Sequence, residues 1–275
     1  MRNIDFCRFV AAVLMLATAV LLGPLARAQQ GAIPILHYYN FDLNRVGPTT
    51  VTTSVFEEQL IWLRDHDYTV VPLSMVIGAF GQSRSLDPKR VAITVDDGWK
   101  SQFTLMFPII RRYNVPVTLF VYTDAISAIP AALTWDEISE MQDTGLVEVQ
   151  SHTFSHPDFL LHRRRSSIAD YEAFVAHELQ QSKSTLEAHL HRPVTLLAWP
   201  YGIVDRGLEI QAQCAGYLAA FSVEQRRALA GADLFALPRL VVSDKARGAA
   251  LATLIKGSPE ASAGAAPTTC DSSLG

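Results

Sequence analysis

Two adjacent carboxylates, Asp96 and Asp97, follow the apolar run Val91-Ala92-Ile93-Thr94-Val95 and precede Gly98. The run reads as a strand buried on both faces, and the glycine frees the backbone to turn. Neighbours at a strand end point different ways, so one carboxylate can hold a metal ion while the other handles a proton. Asp-Asp-Gly is also common punctuation after any strand, and the stretch alone does not choose between the two. Further on, His152-Thr153-Phe154-Ser155-His156 carries two imidazoles four residues apart. Pro157 disfavours helix at His156, which places both on a tight loop. Two His and one Asp form the open three-ligand set of a catalytic zinc or similar ion, the other positions being left to water and substrate. A purely structural zinc needs a fourth ligand, and none is evident. A lone histidine pair is otherwise ordinary on a surface loop, so the weight rests on the combination.

Such residues need elements to bring them together. Ile33 to Tyr39 reads as a strand with Pro34 at its start, Asn40 to Thr53 as a polar loop, and Thr53 or Ser54 as the cap of a helix carrying Phe56, Leu60 and Leu63. Strands are predicted over 68–71, 91–95, 117–122, 147–150, 194–199, 218–223 and 237–243. Helices are predicted over 73–80, 101–113 with a kink or break at Pro108, 134–143 with a Thr134/Glu137 capping box, 168–190, 205–215 and 246–255. Seven or eight strands alternating with helices predict a parallel sheet with helices outside it. An open doubly wound sheet would satisfy the pattern, but the strand count and single-domain length favour a closed or nearly closed barrel. His37, Asp96-Asp97, His152 and Pro200-Tyr201 then all fall at the C-terminal ends of strands, where parallel sheets keep their ligands.

The ends and the composition bound the setting. Arg2 and Arg8, an apolar run from Phe9 to Leu22 and Ala26-Arg27-Ala28 form a secretory signal over residues 1–28; the run is shorter than the roughly 20 residues of a spanning helix. Removing it takes Arg2, Arg8, Arg27 and Asp5 and leaves 20 basic against 26 acidic residues, which argues against a nucleic-acid partner. Of three cysteines, Cys7 leaves with the signal; Cys214 and Cys270 could form a disulfide that nothing in the sequence supports, Cys214 being expected instead as a small buried hydrophobe, and two cysteines are too few for a metal cluster. The catalytic domain is expected over 29–256 and a disordered tail, rich in Ser, Pro, Ala, Gly and Thr, over 257–275.

Thr94-Val95-Asp96-Asp97-Gly98, Ser151-His152-Thr153-Phe154-Ser155-His156 and Trp199-Pro200-Tyr201-Gly202, in this order and spacing, resemble the polysaccharide deacetylases that share the NodB homology domain. Phe56-Glu57-Glu58-Gln59-Leu60, Pro116-Val117-Thr118-Leu119-Phe120 and Leu237-Pro238-Arg239 extend the likeness over most of the chain. It is strongest to a secreted subgroup that includes poly-β-1,6-N-acetylglucosamine deacetylases. The resemblance implies a single-domain, distorted (β/α)7-type barrel of mainly parallel strands and metal-dependent hydrolysis of an N- or O-acetyl group. It implies Asp97, His152 and His156 as metal ligands and Asp96 as general base. The oxyanion would be met by the metal and the Tyr201 backbone N–H, and the leaving amine by His37 as general acid. The family often has Phe at the Val95 position and Arg at the Ala198 position; Arg239 is expected to replace that Arg as partner of Asp96. His37 stands one strand layer below position 39, where the subgroup usually has His and this chain has Tyr39.

Trp99, Trp199, Pro200 and Tyr201 are candidate substrate contacts, with Tyr122 and Trp135 as further aromatics on which a sugar face could stack; taken singly, each aromatic is more often a core residue. Arg163-Arg164-Arg165 reads as a solvated loop. The expected activity is removal of N-acetyl groups from a polymer or oligomer containing N-acetylglucosamine, in the periplasm or outside the cell. The expected cofactor is one divalent ion, zinc first, with cobalt, nickel or manganese able to use the same ligands. The competing readings are an O-acetyl esterase acting on a xylan-type glycan and a weakly catalytic glycan-binding protein that keeps the metal site.

Overall fold

A computed structural model of the chain describes residues 31–257. The secretory signal expected over 1–28 lies outside that span, as does the expected tail apart from Gly257. After β1 (Ile35–Tyr38) come β2 (Asn40–Asp42) and β3 (Thr50–Thr52), a short parallel pair inside the stretch expected to be loop. The chain continues through α1 (Thr53–Asp65), β4 (Thr69–Val70), α2 (Leu73–Phe80) and β5 (Arg90–Asp97). A π-helical turn at Gln102–Met106 leads into α3 (Phe107–Tyr113), so the expected break sits just ahead of Pro108. Then follow β6 (Val117–Val121), α4 (Trp135–Asp143), β7 (Val147–Ser151), α5 (Phe159–Arg165) and α6 (Ile168–Leu190). Last come β8 (Leu196–Ala198), a 3-10 turn at Pro200–Gly202, α7 (Arg206–Cys214), β9 (Ala219–Phe221), β10 (Leu240–Val241) and α8 (Ala249–Lys256).

The strands lie parallel in the order β10-β1-β5-β6-β7-β8-β9, with β4 joined to the start of β5. The two edges meet. Leu237, just ahead of β10, donates its N–H to Ala220 O at 3.0 Å and accepts from the Ser222 N–H at 2.8 Å, forming a parallel bridge to Phe221. The sheet therefore curls until this seam draws it shut, with the helices outside, in keeping with a distorted (β/α)7-type barrel.

Alternation along each strand divides the side chains. Val91, Ile93 and Val95 of β5 join Leu36, Leu119, Leu197 and the helices in one apolar cluster. Ile35, Ala92, Phe120, Leu196, Ala219 and Phe221 form a second cluster on the other face, lining the inside. Above Ile35 and Ala92 the inward positions of β1 and β5 become polar: His37, Thr94 and Asp96 are all buried. The capping box at Thr134 forms as expected, Glu137 N–H to Thr134 Oγ1 at 3.3 Å and Thr134 N–H to Glu137 Oε2 at 2.8 Å, a feature worth about 1 kcal/mol.

Several local expectations need correction. The α1 N-cap is Thr52, whose hydroxyl and N–H both go to Asp244 Oδ1 instead of capping the helix. Arg163, Arg164 and Arg165 end helix α5 and are not a loop, and Arg163 pairs with Asp205 at 2.6 Å. Cys214 is exposed and disulfide-bonded, not a buried hydrophobe; Cys7 and Cys270 lie outside the described residues. Among the described residues no helix is long and apolar enough to cross a membrane.

Candidate active site

The C-terminal rim of the barrel collects the chemistry-bearing residues from separate strands. Asp96 and Asp97 end β5, His152 follows β7, His156 closes the next loop, and Tyr201 follows β8. Asp97 Oδ1 lies 3.5 Å from His152 Nε2 and 3.7 Å from His156 Nε2. One ligand atom from each of the three residues lies within 4.8 Å of the others.

The rest of each ligand is tied down. His152 Nδ1 meets Ala198 O at 2.8 Å, which leaves Nε2 for the cleft. Asp97 Oδ2 accepts the Trp99 indole N–H at 3.0 Å, which leaves Oδ1. His156 is held through its backbone, its N–H donating to Thr153 Oγ1 at 3.1 Å. Ligands whose second atoms are bonded to the protein are the arrangement in which metal sites fix tautomer and ring orientation. The donor set and its spacing therefore fit a divalent cation.

The backbone is bent to achieve this. Asp97 (φ 81°), Thr153 (φ 70°), His156 (φ 57°) and Tyr201 (φ 57°) all adopt left-handed conformations, each costing on the order of 1–3 kcal/mol for a non-glycine residue. The turn at Asp97 also changes the expected geometry. The two carboxylates do not simply diverge: Asp96 Oδ2 lies 3.7 Å from the same His152 Nε2 that Asp97 approaches. Asp96 points into the barrel and Asp97 sits at its mouth.

Beneath the rim is a buried ion pair. Arg239 spans both Asp96 oxygens, Nη1 to Oδ1 and Nη2 to Oδ2, each at 2.7 Å. Its Nε donates to Ser222 O at 3.1 Å and its Nη1 to Thr94 Oγ1 at 3.3 Å, and the guanidinium lies over the Phe120 and Phe221 rings. The two side chains are 0% and 1% exposed. Burial alone would raise the Asp96 carboxyl, but Arg239, with His37 and His152, holds it well below the usual carboxylate range. For Asp97, burial again acts upward, and His152 and His156 bring the net value down against the repulsion of Asp96. Burial, then His152, pushes His156 down to about 4.

His37 Nε2 lies 2.8 Å from Asp96 Oδ2, and its Nδ1 has no partner. The side chain is 0% exposed and Tyr39 covers it, ring centroids 4.2 Å apart. Burial and Arg239 push its pKa down to about 4. It does not line the cleft in which a leaving group would sit.

The candidate substrate contacts divide. Trp199 is buried, its N–H bonded to Phe235 O at 2.8 Å and its ring packed on Phe159; it is a core residue. Pro200 is buried as well, and Trp99 is engaged with Asp97. Tyr201 is 62% exposed and meets the His156 ring edge-on at 4.7 Å; Tyr122 flanks the same ring at 5.4 Å. Trp135 stacks on His189.

Reading along the sequence misses two supports. Gln102, in the π-helical turn, donates to Tyr39 O at 2.8 Å and Asp96 O at 2.6 Å and so ties the end of β1 to the Asp96 backbone. Glu178 accepts from Ser155 N–H at 2.8 Å and Ser155 Oγ at 2.6 Å. The available signal was a carboxylate in phase with the apolar stripe of α6.

A family model described as polysaccharide deacetylase matches residues 83–220. That span holds Asp96, Asp97, His152, His156 and Tyr201; His37 and Arg239 fall outside it. A poly-β-1,6-N-acetyl-D-glucosamine N-deacetylase of Staphylococcus aureus is 26% identical over 202 residues, covering 72% of this chain and 69% of its own. A protein of the same name from Staphylococcus epidermidis is 24% identical over 211 residues, covering 75% and 71%. Among solved structures, the Streptococcus pyogenes deacetylase PplD in complex with acetate has a TM-score of 0.72 at 23% identity, covering 81% of this chain and 97% of its own. That last likeness is one of fold.

Proposed function

Because this chain belongs to the polysaccharide deacetylase family, we propose that it hydrolyses N-acetyl groups on an N-acetylglucosamine-containing polysaccharide, a carbon–nitrogen bond cleavage that depends on one divalent metal ion. The observation that carries the reading is the convergence of Asp97, His152 and His156 on one point, with a second, ionised carboxylate 3.7 Å from one of those imidazoles. The staphylococcal relatives, named for N-deacetylation of a β-1,6-linked glucosamine polymer, support the choice of N-acetyl over O-acetyl. Residues 1–28 support export, and so an action in the periplasm or outside the cell.

Asp97 Oδ1 and Nε2 of both histidines would hold the ion. It would supply Lewis-acid polarisation of the acetyl carbonyl and of water, and two imidazoles with one carboxylate suit zinc, with cobalt, nickel and manganese as alternatives. Asp96 acts as general base. Arg239 keeps it ionised at neutral pH and fixes its plane, so the proton of the attacking water has an oriented acceptor. The Tyr201 backbone N–H, presented by a strained turn, supplies a donor for the developing oxyanion. Asp96, having taken the proton, is the group placed to return it to the leaving amine. We assign His37, whose Nε2 lies 2.8 Å from Asp96 Oδ2 and whose ring is covered by Tyr39, to holding that carboxylate, in place of the expected role as direct proton donor. Tyr201 and Tyr122 offer the sugar its apolar contact.

The test is acetate release from β-1,6-linked N-acetylglucosamine oligomers, chitooligosaccharides and acetylxylan, each with and without chelator. Release from the β-1,6 oligomers, lost with chelator and restored by added zinc or cobalt, is expected. Release from acetylxylan alone would move the assignment to an esterase, and no release from any substrate would leave a glycan-binding protein.

A further inference from the structure

We propose that Glu178 is a positioning residue for the metal ligands: from the buried face of α6 it holds the loop between His152 and His156 and so sets how tightly the site takes its ion. The inference rests on the metal-dependent reading above and extends it to a residue outside the cleft.

The inward stripe of α6 is Val175, Glu178, Leu179, Ser182, Leu186 and Leu190. Helical spacing makes this one face, and two of its members are polar. Taking a carboxyl out of water is unfavourable unless its oxygens find donors. Those of Glu178, which is 2% exposed, find them in the histidine loop. Oε2 accepts the Ser155 N–H and Oε1 the Ser155 hydroxyl, and the Glu178 backbone oxygen accepts the Phe154 N–H at 3.1 Å. One turn further along, Ser182 Oγ lies 2.8 Å from Ser151 Oγ, which accepts the Thr153 N–H at 3.1 Å. Both polar residues of the stripe therefore grip the segment that carries the two imidazoles.

That segment needs a grip. Thr153 and His156 both sit at positive φ, a conformation that a free loop leaves readily. Glu178 acts one residue ahead of His156, whose own ring nitrogens it does not touch. Holding the loop in place before the ion arrives removes the ordering step from binding, and outer partners of this kind typically change metal affinity about 10- to 100-fold.

The full-length protein is stripped of metal and titrated with zinc against a chromophoric chelator, and thermal unfolding of the metal-free form is recorded on the same preparations. Glu178→Ala is expected to weaken zinc binding about 10- to 100-fold. Glu178→Gln, which can still accept from the Ser155 N–H and donate to its hydroxyl, is expected to stay near the parent. Ser155→Ala, an exposed position that loses one of the two side-chain bonds, is expected to fall between them and carries the test if Glu178→Ala does not fold. Asp97→Ala is the control for the metal site itself. If it abolishes zinc binding while Ser155→Ala and Glu178→Ala match the parent, this inference fails and the metal reading stands. If the parent takes no zinc, cobalt, nickel or manganese, both fall. A loss in Glu178→Gln as large as in Glu178→Ala would make charge the link and would also overturn the proposal.

Discussion

Replacing Arg239 with methionine removes the guanidinium from the barrel while keeping much of its volume. The structure sets the size of the effect. Two charge-assisted bonds of 2.7 Å to Asp96 disappear, along with those to Ser222 O and Thr94 Oγ1, and Asp96 stays buried without its cation. Removing one partner of a buried pair costs about 3–5 kcal/mol, out of a total stability that is typically about 5–15 kcal/mol. The sign with pH follows from the carboxyl. In the parent, Asp96 titrates well below its usual range, so its contribution is complete above the unfolded carboxyl pKa of about 4 and is lost as pH falls through the folded value. Without Arg239, burial is opposed only by His37 and His152, and the folded pKa moves up. The variant then loses stability as pH rises and the lone carboxylate must ionise, so the gap to the parent widens towards neutral pH and narrows in acid. Urea denaturation at pH 5 and pH 7 reads this directly, and Asp96→Asn in the same background should recover most of the loss. In acetate release, the acid limb of kcat/KM should move to higher pH, since the base must be ionised to act. A loss below about 1 kcal/mol, the range of an exposed pair, with an unmoved acid limb would refute the assignment of Arg239 as the group that keeps the base charged.

Other substitutions probe other parts of the site. In Gly202→Ala the new Cβ would collide with Val223 Cγ2 and meet Val223 N at 2.9 Å, at φ +70°; a loss of about 1–3 kcal/mol and a lower kcat from a displaced Tyr201 turn are expected, measured by thermal unfolding and turnover. Trp99→Phe removes the donor on Asp97 Oδ2 and should weaken metal affinity about 10-fold or more, read by chelator competition; unchanged affinity would make Trp99 a packing residue only. His37→Ala should lower kcat yet keep the alkaline limb of the pH–rate profile. Loss of that limb would restore His37 as the proton donor to the amine.

The periodic parts of the chain were legible in advance. The alternation of apolar runs and helical stripes located β5, α2 and α6 almost to the residue, because long amphipathic segments carry redundant signals. What escaped depends on three-dimensional context. The β2–β3 pair is built from a polar stretch whose two strands pair only with each other, so no apolar alternation marks them. The aromatic ring of Trp199 looks the same in sequence whether it lines a cleft or packs on Phe159, and the choice follows from strand alternation after Ala198. The candidate ligand residues stood out because their types are few and their chemistry specific, and the fold brings Asp97, His152 and His156 together. Their supports did not stand out: Gln102 and Glu178 act across 6 and 23 residues respectively, through contacts that have no local pattern. The kink that turns Asp97 towards His152 was missed for a related reason, since left-handed backbone at an aspartate leaves no mark of its own in the sequence.

The seam at Leu237 has a consequence for how the enzyme comes into being. Arg239 lies between the bridge that joins the last two edges of the sheet and the strand that pairs with β1, so closing the cylinder and neutralising the base are the same event. During synthesis the carboxylates and imidazoles emerge before residue 239, so the guanidinium that spans Asp96 is the last of these groups to be made. On the proposed mechanism, a chain truncated ahead of Leu237 would keep Asp97, His152 and His156 and lack the cation that holds Asp96.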